Sequence, residues 1–120
     1  MVRAIAPDEA AQALAGCEGL DPRGLTSAAD LIAMTKRGQC YALSGAVNAV
    51  YVITVRNGVA WVDALKGDGA DATAAVDAVL TAQAAGLDAI ALQTKRRGLV
   101  RKLQRHGYSV TGWVMRKELQ

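Results

Sequence analysis

Six cations crowd one short segment near the C-terminus: Lys95, Arg96, Arg97, Arg101, Lys102 and Arg105. Residues 95–120 carry eight Lys/Arg against one Asp/Glu, whereas residues 1–94 carry six against ten, so the net charge of +3 conceals a basic end on an acidic body. Groups of this kind bind anions. A phosphate, a nucleic-acid backbone or an acidic protein surface would each be attracted, and so would the solvent shell of an ordinary exposed helix face. Tyr108 and Trp113 do not interleave with the arginines as a base-stacking platform requires, so specific nucleic-acid readout is unsupported. Cys17 and Cys40 have no metal-ligand spacing, and two thiols make no disulfide framework; both read as reduced and half-buried. The single histidine, His106, lies beside Arg105 where a helix would end, and complementing the helix dipole accounts for it without a metal or a catalytic role.

The elements that must position these groups follow from periodicity. Ala89-Ile90-Ala91-Leu92 is an apolar run of the length of a strand buried on both faces. Leu99, Val100 and Leu103 then recur on one face of a helix, Gly107 stops it, and Tyr108 begins a last extended run. Upstream, Val2–Ala6 reads as a short strand. Pro7-Asp8-Glu9 opens a helix running through Leu14 to Gly16. After a loop from Cys17 to Gly24, Thr26 or Ser27 caps a second helix with Ala28, Leu31 and Ile32 inward, ending at Gly38. Gln39–Leu43, Ala49–Arg56 and Val59–Leu65 form a meander, its second turn set by Asn57-Gly58. Val50, Val52 and Thr54 fall on one face of the middle strand, and Tyr51, Ile53 and Val55 on the other. Lys66-Gly67-Asp68-Gly69-Ala70-Asp71 leads into a helix with Ala72, Ala75, Val76, Val79 and Leu80 on one side, ending at Gly86. The crossover after it makes Val59–Leu65 and Ala89–Leu92 parallel.

A chain of 120 residues, 52% hydrophobic and 21% charged, is one globular domain over residues 1–120. Phe is absent, so Trp61, Trp113, Tyr41, Tyr51 and Tyr108 are expected to supply the large core pieces. No apolar run approaches the ~18 residues of a membrane span, which excludes a membrane partner of that kind. The opening residues lack a signal-peptide core, and a cytoplasmic location is expected.

The order strand, two helices, three-stranded meander, helix, strand, helix, strand, closing on Gly107-Tyr108 and Met115-Arg116-Lys117, resembles the GCN5-related N-acetyltransferase (GNAT) fold, an α+β class with a mixed central sheet. The likeness extends to small GNAT-like proteins of phages and prophages, which would place the chain in a host cytoplasm or a virion. The resemblance implies acetyl-CoA as cofactor. Lys66, Gly67, Gly69 and Ala70 match part of the family's diphosphate-binding loop, where glycines let the backbone approach and helix amides meet phosphate. Lys95, Arg96 and Arg97 stand at the helix start where family members place cofactor contacts, and the resemblance implies that they would hold the 3′-phosphate of CoA. Asp63, on the fourth strand and expected to share a face with Trp61 and Leu65, is the candidate general base. The tyrosine that protonates the departing thiolate in many members falls here on Leu103, leaving Tyr108 as the candidate acid.

Two departures bear on function. Asp68 and Asp71 lie in the phosphate loop, and an aspartate at a helix N-terminus accepts the amide hydrogens that a phosphate needs. At ~4 Å, two like charges in a surface-like medium repel by roughly 4 kcal/mol. The loop is therefore expected to be self-capped. On this reading the chain is a non-catalytic or weakly catalytic GNAT-like module with a binding or structural role, such as a part of a phage particle. It would meet a protein partner or a second copy through its basic C-terminal part. The alternative is an acetyl-CoA-dependent N-acetyltransferase acting on a primary amine. What separates them is whether the fourth and fifth strands part to leave an open slot.

Overall fold

The computed structural model describes residues 1–17, 27–68, 71–115 and 117–119. Among them the chain forms β1 (Val2–Ala4), α1 (Pro7–Ala13), α2 (Ala28–Arg37), β2 (Gln39–Leu43), β3 (Asn48–Arg56), β4 (Val59–Asp68), α3 (Ala72–Gln83), β5 (Ala89–Leu92) and α4 (Arg97–Gln104). The strands make one sheet in the order β1-β2-β3-β4-β5. The first three pairings are antiparallel and β4–β5 is parallel. This is an α+β fold with a mixed sheet flanked by helices, as expected.

Local chemistry explains the joints. Ser27 and Asp30 form a reciprocal capping box that starts α2, each side chain accepting the other's backbone N–H. Asn57 and Gly58 both take positive φ (52° and 76°), so the β3–β4 turn twists as the strands do. Gly107 (φ 90°) ends α4, with the Tyr108 N–H returned to the Leu103 carbonyl.

The sheet separates two cores, divided by the alternation expected for β3. Tyr51, Ile53, Ala60, Val76 and Leu80 pack on the α3 side, with Ala72, Ala75 and Val79 against them. Ala10, Leu14, Cys40 and Val52 pack on the α1 side. In α2 the inward residues are Leu31 and Thr35, not Ala28 and Ile32, which are exposed. Thr35 tolerates burial because its hydroxyl donates to the Ile32 carbonyl at 2.7 Å. Cys40 is buried and Cys17 half-buried, both free thiols.

Tyr51 is fully buried and donates to Gln83 Oε1 at 2.7 Å. Burial, the larger cause, pushes its hydroxyl up to about 12; the Gln83 bond pulls the other way and nearby Tyr41 adds to the rise. The unfolded chain releases this proton near pH 10 while the folded chain holds it. Stability is therefore intact below pH 10 and falls between pH 10 and 12. Tyr51→Phe is expected to flatten that alkaline loss by about 2–3 kcal/mol in urea titrations at successive pH values.

Two expectations fail at the C-terminal end. Residues 108–115 enter no strand among the described residues, and Trp113, offered as a core residue, is 90% exposed. Consequently β5 is an edge strand, half-buried rather than covered on both faces.

Candidate functional site

The pairing of β4 with β5 covers only Val59–Val62 against Ala89–Leu92. β5 then ends and residues 93–96 lead away to α4, while β4 continues to Asp68 bonded only to β3. The ten-residue strand thus outruns its four-residue partner, and a cavity of about 760 Å³ opens where they part. Its walls are Asp63–Gly67 of β4, Thr73, Val76 and Asp77 of α3, Leu92 at the end of β5, and Gln93, Thr94 and Arg96 beyond it. Residues from both sheet faces line it, including Cys17 and Met34 on one side and Leu103 and Tyr108 on the other.

A β-bulge shapes the β4 wall. Val62 pairs with Ile53 and Ala64 with Val52, so Asp63 is an extra residue outside the one-to-one register. Its carboxylate accepts a hydrogen bond from the Thr54 hydroxyl and lies 3.7 Å from Arg56, whose guanidinium sits 4.8 Å over the Trp61 ring. Asp63 therefore lies with Trp61, as expected. Leu65 does not: the bulge shifts the phase, and Leu65 pairs with Tyr51 on the α3 side. The Asp63 side chain is only 23% exposed, with Thr54 and Arg56 as partners.

Further along the β4 wall, Lys66 donates to the Ala15 carbonyl at 3.0 Å, and a Cβ added at Gly67 would stand 3.3 Å from Ala49 Cβ and 3.7 Å from Ala72 Cβ. Gly69 and Ala70 lie outside the described residues. Asp71 corrects the self-capping expectation. It takes a left-handed conformation (φ 58°, ψ 34°) and makes no side-chain cap bond. A capping side chain needs an extended backbone to reach the N2 or N3 amide, and the left-handed turn denies it that reach. Asp68 is exposed at the end of β4, opposite Asn48.

Of the three predicted cations, Arg96 lines the cavity, its N–H fixed by the Thr94 hydroxyl at 3.1 Å, whereas Lys95 and Arg97 are not among the lining residues. Leu103 is buried in the position where a proton donor was sought. Tyr108 lines the cavity and donates to Asp77 Oδ1 at 2.8 Å. Burial first, then the Asp77 hydrogen bond and the Asp77 charge, push its hydroxyl well above the ordinary tyrosine range. His106 Nδ1 stands 3.8 Å from the other Asp77 oxygen. Sequence reasoning missed Asp77, although it is the one ionisable residue in α3, an otherwise uncharged helix. Tyr108→Phe is expected to cost about 1–3 kcal/mol in urea unfolding, because Asp77, 17% exposed, loses its donor.

Among the described residues no three His, Cys, Asp or Glu cluster as metal ligands, and no helix is long and apolar enough to cross a membrane. No protein-family model matches the chain, and no curated protein matches its sequence. Among solved structures it is similar to TTHA1254 from Thermus thermophilus. A point mutant of that protein aligns with TM-score 0.47 and 15% identity over 100% of this chain and 97% of that one. The wild type aligns with TM-score 0.46 and 15% identity over 99% and 96%.

Proposed function

We propose that this chain is a GNAT-like domain that binds acetyl-CoA in the cavity between β4 and β5 and transfers its acyl group to a primary amine weakly. The parting of the two strands carries the reading. It leaves the β4 backbone from Asp63 to Gly67 without a partner strand on one side, beside an opening large enough for an extended, amide-bearing ligand. The residues present fit the cofactor. Lys66 and Arg96 offer a cation on either wall, and the first turn of α3 contains no carboxylate and receives no cap from Asp71. When bound, acetyl-CoA supplies an activated thioester. The chain's own part is to hold that ligand, exclude water with Val76, Leu92 and Leu103, and present Asp63 as an acceptor for an amine proton.

Weak transfer follows from the acid side. Leu103 has no proton to give, and Tyr108 is a poor donor with its hydroxyl held by Asp77 and its pKa raised. Calorimetric titration with acetyl-CoA tests the reading. A Kd below about 100 μM, some 5.5 kcal/mol, is expected. Absence of saturable binding at millimolar cofactor would overturn it.

One observation favours a second reading, a non-catalytic module of a larger assembly such as a phage particle. Trp113 and Met115, in the segment that follows the basic α4 along the chain, stand about nine-tenths exposed, and exposed large side chains of this kind suit a protein partner or a second copy.

A further inference from the structure

The two edges of the sheet are built differently. β1 is three residues long and carries a charge, Arg3, which is bonded to Glu9 of α1. β5 is Ala89-Ile90-Ala91-Leu92, with no charge and no proline along it. Edge strands without such devices expose a row of backbone donors and acceptors that pair readily with another chain. Elsewhere the same chain holds a segment with the opposite deficiency. Residues 108–115, Tyr-Ser-Val-Thr-Gly-Trp-Val-Met, are rich in β-forming side chains but enter no ladder. Val110 is 53% exposed, Trp113 90% and Met115 92%.

The segment forms no ladder with its own β5. Tyr108 is tied to α3 through Asp77 and to α4 through the Leu103 carbonyl, and Val114 borders the cavity. We infer that the outer edge of β5 receives residues 109–115 of a second copy of this chain, and that the exchange is reciprocal. Each copy has one edge and one strand to give, so the pairing closes on itself as a two-fold dimer. Burying Trp113 alone removes roughly 150–250 Å² from water on each side. Two added strands, each laddered on the four residues of β5 with its exposed side chains covered, bring the contact toward the roughly 800 Å² per partner of a stable interface. The pairing does not depend on acetyl-CoA and stands or falls apart from the cofactor reading.

Sedimentation velocity and hydrogen exchange on the full chain test this. A particle of twice 12.5 kDa is expected at 10–100 μM on the order of ordinary dimer affinities. Amides of Ala89–Leu92 and of residues 109–115 should be protected in proportion to dimer. Thr111→Pro removes a ladder donor in a segment that packs little on the monomer, and Trp113→Asp places a charge there. Either change should abolish the dimer and the protection while the thermal midpoint of the monomer stays put. A full chain that remains monomeric at the highest concentration overturns the inference. So does protection of both segments in the monomer, which would mean pairing within one chain. A dimer that survives both substitutions overturns it equally.

Discussion

Thr73→Glu should weaken acetyl-CoA binding at least ~100-fold and leave the thermal midpoint unchanged or slightly raised. Thr73 lies in the first turn of α3 and lines the cavity. A carboxylate there faces the positive end of the helix, which stabilises the fold by about 0.3–1 kcal/mol. The same charge repels a diphosphate by roughly 4 kcal/mol at ~4 Å, and screening reduces that to about 3. Binding and stability thus move in opposite directions, so a folding defect cannot imitate the result. Titration calorimetry and a melting curve on one preparation suffice. Unchanged affinity would mean that the cofactor's phosphates lie elsewhere.

Gly38→Ala should cost about 3 kcal/mol and lower the midpoint by roughly 10 °C. Gly38 has an extended backbone (φ −97°, ψ −179°), so the difficulty is space rather than conformation. An added Cβ would stand 2.5 Å from Val52 Cγ1, 2.9 Å from the Ile53 carbonyl and 3.3 Å from the Met34 carbonyl. Val52 is fully buried and cannot swing aside, and the two carbonyls belong to β3 and α2. The cost would appear as a lower midpoint in denaturant with an unchanged slope. A midpoint within 2–3 °C of the parent would show that α2 can slide on the sheet, since about 1 kcal/mol is worth roughly 4 °C here.

Much of the scaffold was legible because its signals are local. Asn57-Gly58 specified its turn through two positive φ angles, and the alternation of β3 assigned Tyr51 and Val52 to opposite cores. The face of α2 was read correctly at Leu31 but not at Ala28 and Ile32, because pattern reading discounts a threonine, whereas Thr35 satisfies its own hydroxyl within the helix. The cavity was less legible. It depends on β5 stopping six residues before β4 does, a difference in strand length that periodicity does not fix to that accuracy. Asp71 was identified as a cap from its residue type alone, yet the backbone angle decides whether a side chain reaches the amides. The strand expected after Tyr108 does not form among the described residues, because β-forming composition does not by itself supply an edge for the segment to pair with.

Asp63 ties the length of the chain to the shape of the site. Across the β3–β4 ladder every other residue from Trp61 to Lys66 has a partner; this aspartate is supernumerary. A protein shorter by that residue could zip the same hairpin, with Leu65 still toward Tyr51 and Lys66 still opposite Val50. What it would forfeit is the local swerve that such an insertion imposes, at the very point where the neighbouring strand falls away. The surplus residue is therefore dispensable for assembling the hairpin, and what it adds is a bend in β4 where the opening begins.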